Sequence, residues 1–108
     1  MRLVLAMPPS LHRRDLRKAY AQGLRLALRG KTLPYRVYRV RVTFFGRFWD
    51  DSGALLESAP DGDNLWKTLA DEIARAAGWP RNNDVVLQRD FHVKCVQCEK
   101  AYAVVELT

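Results

Sequence analysis

The sequence predicts an α+β fold, in which a mixed β-sheet of about four strands packs against two helices in the order β-α-β-α-β-β. Two segments carry apolar residues at helical spacing, while the other apolar segments alternate or run without interruption, as strands do. A chain of 108 residues has room for one hydrophobic core. No repeat, low-complexity tract or linker divides it, so residues 1–108 are expected to form a single domain.

The first predicted elements are a short strand and a basic helix. Arg2–Ala6 is apolar enough for a buried strand, which Pro8-Pro9 ends. Ser10 is a favoured N-cap, so we expect the first helix over about Leu11–Leu28, with Gly30 as its stop. The core stripe of this helix is expected to consist of Leu16, Tyr20, Leu24 and Ala27 or Leu28.

The second predicted strand, Tyr35–Phe45, is long and has two unlike faces. One face is expected to carry Arg36, Tyr38, Val40, Val42 and Phe44, and the other Tyr35, Val37, Arg39, Arg41 and Thr43. Gly46–Ala59 is rich in turn-forming residues. Within it, Asp50 and Asp51 are expected to form a turn rather than to bind a ligand.

The second half of the chain predicts a helix followed by two strands. The helix is expected over Asp63–Ala77, with Gly78 after it. A strand over Val85–Val96, a turn at Gln97–Lys100 and a returning strand over Ala101–Leu107 would then form a hairpin. The apolar side of the helix is expected to consist of Leu65, Trp66, Leu69, Ile73, Ala76 and Ala77.

Charge and composition narrow the classes of function. Apolar residues make up 48% of the sequence, which favours a folded chain. The net charge of +6 favours a nucleic acid or another anionic surface as partner, with a basic protein that is merely soluble as the alternative. The apolar start Leu3–Met7 is too short for a signal peptide or a membrane span, so we expect a cytoplasmic protein with reduced thiols. So small a domain offers little surface to a large substrate, and a homodimer is expected.

Asp61 and Asp63 stand one residue apart near the expected start of the second helix. Both carboxylates can be aimed at one point, and Mg²⁺, or Mn²⁺ in its place, takes such oxygen ligands together with waters and substrate phosphates. Lys67 lies one turn later, and helical side chains lean toward the N-terminus, so its ammonium would hang over the pair. The alternative is ordinary capping by Asp63, a turn at Asp61-Gly62 and an i,i+4 pair between Asp63 and Lys67.

The run Asp61-Gly62-Asp63-Asn64-Leu65-Trp66-Lys67 resembles the D-x-D-N-L-x-K motif of the RusA family of Holliday junction resolvases. Pro8-Pro9-Ser10 also resembles the family's N-terminal P-P-S, and the resemblance spans nearly the whole chain. It implies a homodimeric, Mg²⁺-dependent endonuclease that cuts four-way DNA junctions in recombination and repair. On this resemblance Asp61 and Asp63 are metal-binding catalytic aspartates and Lys67 is the catalytic lysine.

The third aspartate is where this sequence departs from the RusA pattern. The family places paired acids after the helix; alignment on Gly78 puts Asn82 and Asn83 there, while a shift of one residue offers Asp84. An asparagine carbonyl brings no negative charge and would hold Mg²⁺ less strongly. We expect Asp84 to be the third catalytic and metal-binding residue. A nucleic-acid-binding module of the same fold with weakened catalysis is the alternative.

Basic residues of the first helix and second strand are the predicted DNA contacts. The family usually has a longer basic and aromatic loop after P-P-S, for which the basic residues of the first helix would substitute here. A solvated basic face is the alternative. The predicted contacts are Arg13, Arg14, Arg17, Lys18, Arg36, Arg39 and Arg41.

Cys95 and Cys98 would flank the turn of the predicted hairpin, like half of a zinc knuckle. A structural zinc needs four ligands and the sequence contains no second pair, so zinc at Cys95/Cys98 is not expected; a zinc-binding interaction protein is the third reading. Trp66 is expected in the core, and Trp79 either in the core or against DNA.

Overall fold

The computed structural model describes residues 1–56 and 61–108, and these residues form the predicted mixed sheet and two α-helices in the predicted order. The α+β prediction is therefore confirmed. The end of the predicted turn-rich stretch, residues 57–59, lies outside the described residues, as does Pro60. The elements are β1 (Arg2–Ala6), α1 (Arg13–Ala27), β2 (Arg39–Gly46), α2 (Gly62–Ala77), β3 (Asp90–Gln97) and β4 (Tyr102–Leu107), with short 3₁₀ helices at Pro80–Asn82 and Val85–Leu87.

The sheet has the strand order β1-β4-β2-β3. β4 pairs antiparallel with both β1 and β2, and β2 pairs parallel with β3, so β1, β2 and β3 all run in one direction. Each helix thus connects two parallel strands. Such crossovers are almost always right-handed, which puts α1 and α2 on the same face of the sheet, where they pack against each other.

The core lies between that face and the two helices. From the sheet it receives alternate residues such as Leu5, Phe44 and Val105, all of which are fully buried. The large apolar residues of the helical stripes face them as predicted, with Leu16, Tyr20 and Leu24 of α1 buried beside Leu65, Trp66, Leu69 and Ile73 of α2. Ala76, predicted on the apolar side of α2, is exposed, and Ala70 and Ala74 are buried instead. The other face of the sheet, called the open face below, carries no helix among the described residues.

The start of α1 differs from the prediction. The helix begins at Arg13 with His12 in the N-cap position, and no side chain caps it. The Ser10 hydroxyl instead donates to the Asp15 carboxylate at 2.8 Å. Leu11 precedes the helix with a φ of 53°, outside helical geometry, while its side chain is buried. Ser10 and Leu11 therefore belong to the loop.

The predicted strands over Tyr35–Phe45 and Val85–Val96 both begin later than expected. The Tyr38 amide donates to the Val86 carbonyl at 3.0 Å, outside the sheet ladder, and the ladder of β2 begins at Arg39. On the other side of this contact, the Asn83 side chain accepts from the Val85 amide at 3.0 Å, which starts a 3₁₀ turn. Each segment is held by contacts of its own before it enters the sheet.

The predicted hairpin of β3 and β4 is wrong. β2 lies between these two strands, and after β3 the chain crosses the end of β2, where the Cys98 amide donates to the Gly46 carbonyl at 2.8 Å. As a central strand, β4 pairs on both edges, to β1 and to β2, whereas a hairpin would pair it on β3 alone. No helix in the described part of the chain is long and apolar enough to cross a membrane.

Candidate active site

The N-terminal ends of α1 and α2 lie side by side. β1, β2 and β3 are parallel, and a helix follows each of the first two. Both helices therefore begin at the carboxyl ends of the strands and run in the same direction, antiparallel to them. Contacts between them keep this register: Arg17 of α1 reaches Asp71 and Glu72 of α2. The unpaired amides of both first turns thus give one end of the helix pair a partial positive charge.

Asp61 is the N-cap of α2, two residues before Asp63, which was the predicted N-cap. Its Oδ1 accepts from the Asn64 amide at 2.8 Å, which fixes the orientation of the carboxylate and leaves Oδ2 free of that bond. Asp63 follows in the first turn, exposed to solvent. Among the described residues, no hydrogen bond or ion pair engages the Asp63 carboxylate.

Gly62, between the two acids, is needed for packing. A Cβ at this position would lie 3.0 Å from Cγ1 of Val93 and 3.2 Å from Sγ of Cys95. A larger residue would therefore push the start of α2 away from β3 and move both carboxylates. Glycine here lets a helix start lie directly on a strand.

Cys95 is a neighbour of the acidic pair that sequence reasoning missed. Burial raises the pKa of the Cys95 thiol, and the negative charge of Asp61 raises it further. The glycine between two acids is a signal of close backbone approach, but it does not name the residue that approaches.

Lys67 does not form the i,i+4 pair with Asp63 that was the simple alternative. No ion pair of its ammonium occurs within residues 1–56 and 61–108. Its side chain instead lines a groove of about 340 Å³ between the first turns of the two helices. We call this the N-terminal groove; it is lined by Leu11, Arg13, Leu16, Asn64, Leu65, Lys67 and Thr68.

Asp84 is attached to α2 through two side chains. The Trp66 indole N–H donates to Oε1 of Gln88 at 3.1 Å, and Nε2 of Gln88 donates to the Asp84 carboxylate at 3.3 Å. This connection was not predicted. Across the described ranges, however, no three His, Cys, Asp or Glu side chains are grouped as a metal cluster, so Asp61, Asp63 and Asp84 do not form a three-carboxylate centre in this structure.

The segment that carries the alternative ligands has its own structure. Arg81 and Asn82 both have positive φ, 57° and 51°, which is uncommon outside glycine. Asn82 and Asn83 are exposed, and the Asn83 side-chain oxygen accepts from the Val85 amide. Asn83 therefore acts as a local turn former.

Arg17 does not belong with the predicted DNA contacts. Its guanidinium binds Asp71 at 2.6 Å and Glu72 at 3.1 Å, and these hydrogen bonds, Glu72 first, raise its pKa. The other three basic residues predicted on α1, Arg13, Arg14 and Lys18, are exposed. They remain available to a partner.

The arginines of the second strand lie elsewhere on the molecule. Arg39 and Arg41 point from the amino end of β2 to the open face, where Arg39 pairs with Asp90 at 3.2 Å and Arg41 is in register with Glu106. Arg36 precedes the strand and stacks on the Tyr38 ring, 4.1 Å from its centroid. The structure does not bring these three together with the acidic pair.

The remaining predicted features are structural. Trp79 is buried and its indole N–H donates to the Leu33 carbonyl at 2.9 Å, which overturns the reading of Trp79 as a DNA contact. Cys95 lies in β3 and Cys98 just beyond its end. Three residues of extended chain span about 10 Å, more than the Cα separation of a disulfide. Both cysteines are free.

A scan against protein-family models finds no match to this chain, and a search of curated proteins finds none either. The functional argument therefore depends on the site itself.

Proposed function

We propose that this protein is a Mg²⁺-dependent, structure-selective endodeoxyribonuclease of the RusA type that resolves four-way DNA junctions in recombination and repair. The observation that carries the proposal is the start of α2, where two carboxylates and a lysine lie within the first two turns and form no ion pairs among the described residues. The proposed setting is the cytoplasm, where free thiols such as Cys95 and Cys98 persist.

The donor set suits Mg²⁺. This ion is usually held by one or two carboxylates, with waters and substrate phosphates completing the shell. Asp61 Oδ2 and both oxygens of Asp63 are the donors on offer, and the capping bond to Asn64 holds Asp61 in one orientation. Two protein carboxylates are enough if a substrate phosphate supplies the rest.

Each residue then has a task in phosphodiester hydrolysis. Asp61 and Asp63 would hold the ion and orient it toward the scissile phosphate. When bound, Mg²⁺ would act as a Lewis acid that activates water and neutralises phosphate charge. Lys67 would stabilise the negative charge that develops on the phosphate oxygens, because its ammonium has no competing partner within the described residues. Asp84 is linked to α2 through Gln88 and Trp66 but is not grouped with Asp61 and Asp63 among the described residues, so the proposed metal site rests on the two aspartates alone.

A nucleic-acid-binding module with weakened catalysis is the second candidate. It is favoured by Asn82 and Asn83, which stand where the RusA pattern has acids, and by the turn-forming role of Asn83. On this reading the basic residues of α1 bind DNA and the acidic pair only caps α2.

One experiment separates the two candidates. Purified protein is incubated with a synthetic four-way junction and Mg²⁺, beside a linear duplex of the same sequence. The nuclease proposal expects paired nicks in the junction only, and no nicks when EDTA replaces Mg²⁺. Binding to the junction without cleavage at any Mg²⁺ or Mn²⁺ concentration would instead identify the binding module.

We further propose that two copies associate through the open face. It exposes Val4 (57%) and carries a stacked pair of rings, Phe45 and Tyr102, with centroids 4.4 Å apart. An isologous interface needs a patch that complements itself, and this one has both signs of charge, since Glu106 is in register with Arg2 on one side and Arg41 on the other. Light scattering should give the mass of a dimer for the wild type and of a monomer for Val4→Glu. A monomeric wild type would remove this proposal.

A further inference from the structure

The N-terminal groove is chemically unlike the rest of the helix pair. Its floor is apolar and buried, made by Leu11, Leu16 and Leu65. Its rims carry two cations from different helices, Arg13 of α1 and Lys67 of α2, and none of the described residues that line it is an acid. Neither cation forms an ion pair in the part of the chain that the structure describes.

The floor is built at some cost. Leu11 has a φ of 53°, in the left-handed region that is unfavourable for a residue with a Cβ. Such a residue persists only where its surroundings determine it, and here its side chain is buried against the first turns of α1 and α2. The volume of about 340 Å³ lies at the lower end of the range for small-molecule sites, about 300–1,000 Å³.

We propose that this groove binds one nucleotide of the DNA substrate, with its phosphate between Arg13 and Lys67 and its sugar on the leucine floor. The inference rests on the proposed function and assigns its substrate contacts. Two cations that line one groove favour an anion between them, and an apolar floor beneath them suits the carbon face of a sugar rather than a free ion. Arg13 thereby becomes a substrate-positioning residue next to the acidic pair.

The first test uses thymidine 5′-monophosphate as probe, with EDTA present. Methyl resonances of Leu11, Leu16 and Leu65 should shift with the nucleotide, and much less with inorganic phosphate or with thymidine alone. Equal shifts with inorganic phosphate would show a simple anion site and overturn the nucleotide assignment. Unshifted methyl groups would overturn it as well.

The second test measures affinity for a short oligo-dT strand, again in EDTA, by fluorescence anisotropy. Arg13→Gln should weaken binding by about 5- to 10-fold, as expected for loss of a charge-assisted phosphate contact. The matched control is Arg25→Gln, the same change on an exposed residue at the other end of α1, with an expected change below about 2-fold. If both variants lost the same affinity, Arg13 would contribute only the general attraction of a positive charge to DNA. That result would overturn the inference.

A double variant tests the shared phosphate. If Arg13 and Lys67 hold one phosphate, R13Q/K67Q should lose less than the product of the two single losses. If the affinity loss of the double variant equalled the product of the two single losses, the two side chains would contact different phosphates. The proposal of one shared phosphate would then be overturned. A protein that passes these binding tests but never cuts a junction would keep this inference and lose the nuclease, whereas cleavage with R13Q equal to R25Q would do the reverse.

Discussion

The two helices carry two clusters of charged residues, each made of two acids and two bases. The clusters differ in whether their charges form ion pairs. The first, called the paired cluster, closes on itself between α1 and α2: the Asp71 carboxylate binds Arg17 at 2.6 Å and Arg75 at 3.4 Å, and Arg17 also binds Glu72 at 3.1 Å. Glu72 is almost fully buried. Every charge in this group has a partner.

The second group, called the unpaired cluster, consists of Asp61, Asp63, Lys67 and Arg13. It too has two acids and two bases, yet no ion pair joins its members among the described residues. All four are exposed at the shared N-terminal end of the helices. The contrast shows that spacing alone does not decide whether two charges pair, since Asp63 and Lys67 have the same i,i+4 spacing as the paired Asp71 and Arg75.

The largest effect is expected from removing one acid of the unpaired cluster. Asp63→Asn should lower the rate of junction cleavage by about 10³-fold, equivalent to about 4 kcal/mol of charge stabilisation lost with the metal. Asp61→Asn should do the same without unfolding α2, because asparagine is also a good N-cap. Single-turnover cleavage of a labelled junction measures both.

The matched control is Asp71→Asn, which removes one acid from the paired cluster on the same helix. Cleavage should stay within about 3-fold of wild type, because Asp71 is paired with Arg17 and Arg75 and lies outside the proposed site. Similar losses for D63N and D71N would mean that the two clusters do not differ in function.

The next largest effect is expected on stability and not on DNA binding. Arg17→Gln should lower the free energy of unfolding by about 1–2 kcal/mol, since it leaves the buried Glu72 without its partner while solvent screens the half-exposed Asp71. Urea unfolding measures it. DNA affinity should change by less than about 2-fold. A loss of affinity without a loss of stability would restore Arg17 to the DNA contacts.

Local pattern predicted the elements well. The stripes of Leu16, Tyr20 and Leu24 in α1, and of Leu65 through Ile73 in α2, are determined by helical period and are buried as expected. The position of β4 between β1 and β2 was not predictable in this way, because strand order depends on pairing between distant segments. The starts of the strands were predicted wrongly for a related reason. A hydrogen bond between Tyr38 and Val86, which are distant in sequence, decides where the ladder of β2 begins.

The candidate site was predictable to the same extent. The acids and the lysine at the start of α2 follow from motif and helix geometry. Their neighbours do not, because Cys95 and Gln88 approach from a different part of the chain. The ion pairing of each arginine could not be predicted from the sequence either. Arg13 and Arg17 are four residues apart on one helix, yet of these two only Arg17 pairs with acids of α2.

A smaller effect on stability is expected where an ion pair is exposed to solvent. Arg39 and Asp90 form a closed pair on the open face, but their side chains are 72% and 61% exposed. Arg39→Gln should therefore change the free energy of unfolding by less than about 0.5 kcal/mol. The comparison with R17Q in the same urea experiment tests whether burial gives the paired cluster its strength. An equal cost for both variants would contradict that explanation.

The smallest effect is a change in the reactivity of Cys95. Burial and the Asp61 charge both raise the pKa of this thiol, so at mildly alkaline pH less of it is thiolate than for an ordinary cysteine, and alkylation should be slow. Asp61→Asn removes the smaller of the two causes; the pKa falls but stays raised by burial, and the pH profile of iodoacetamide labelling should move toward lower pH.

The control for this shift is Asp63→Asn, which removes an equal charge from the unpaired cluster. Asp61, and not Asp63, contributes to the raised pKa of Cys95, so D63N should leave the labelling profile close to wild type. Peptide mapping by mass spectrometry distinguishes Cys95 from Cys98. If D61N and D63N moved the profile equally, Asp61 would not be the carboxylate held beside β3. The orientation of Asp61 on which its proposed metal-binding role depends would then be wrong.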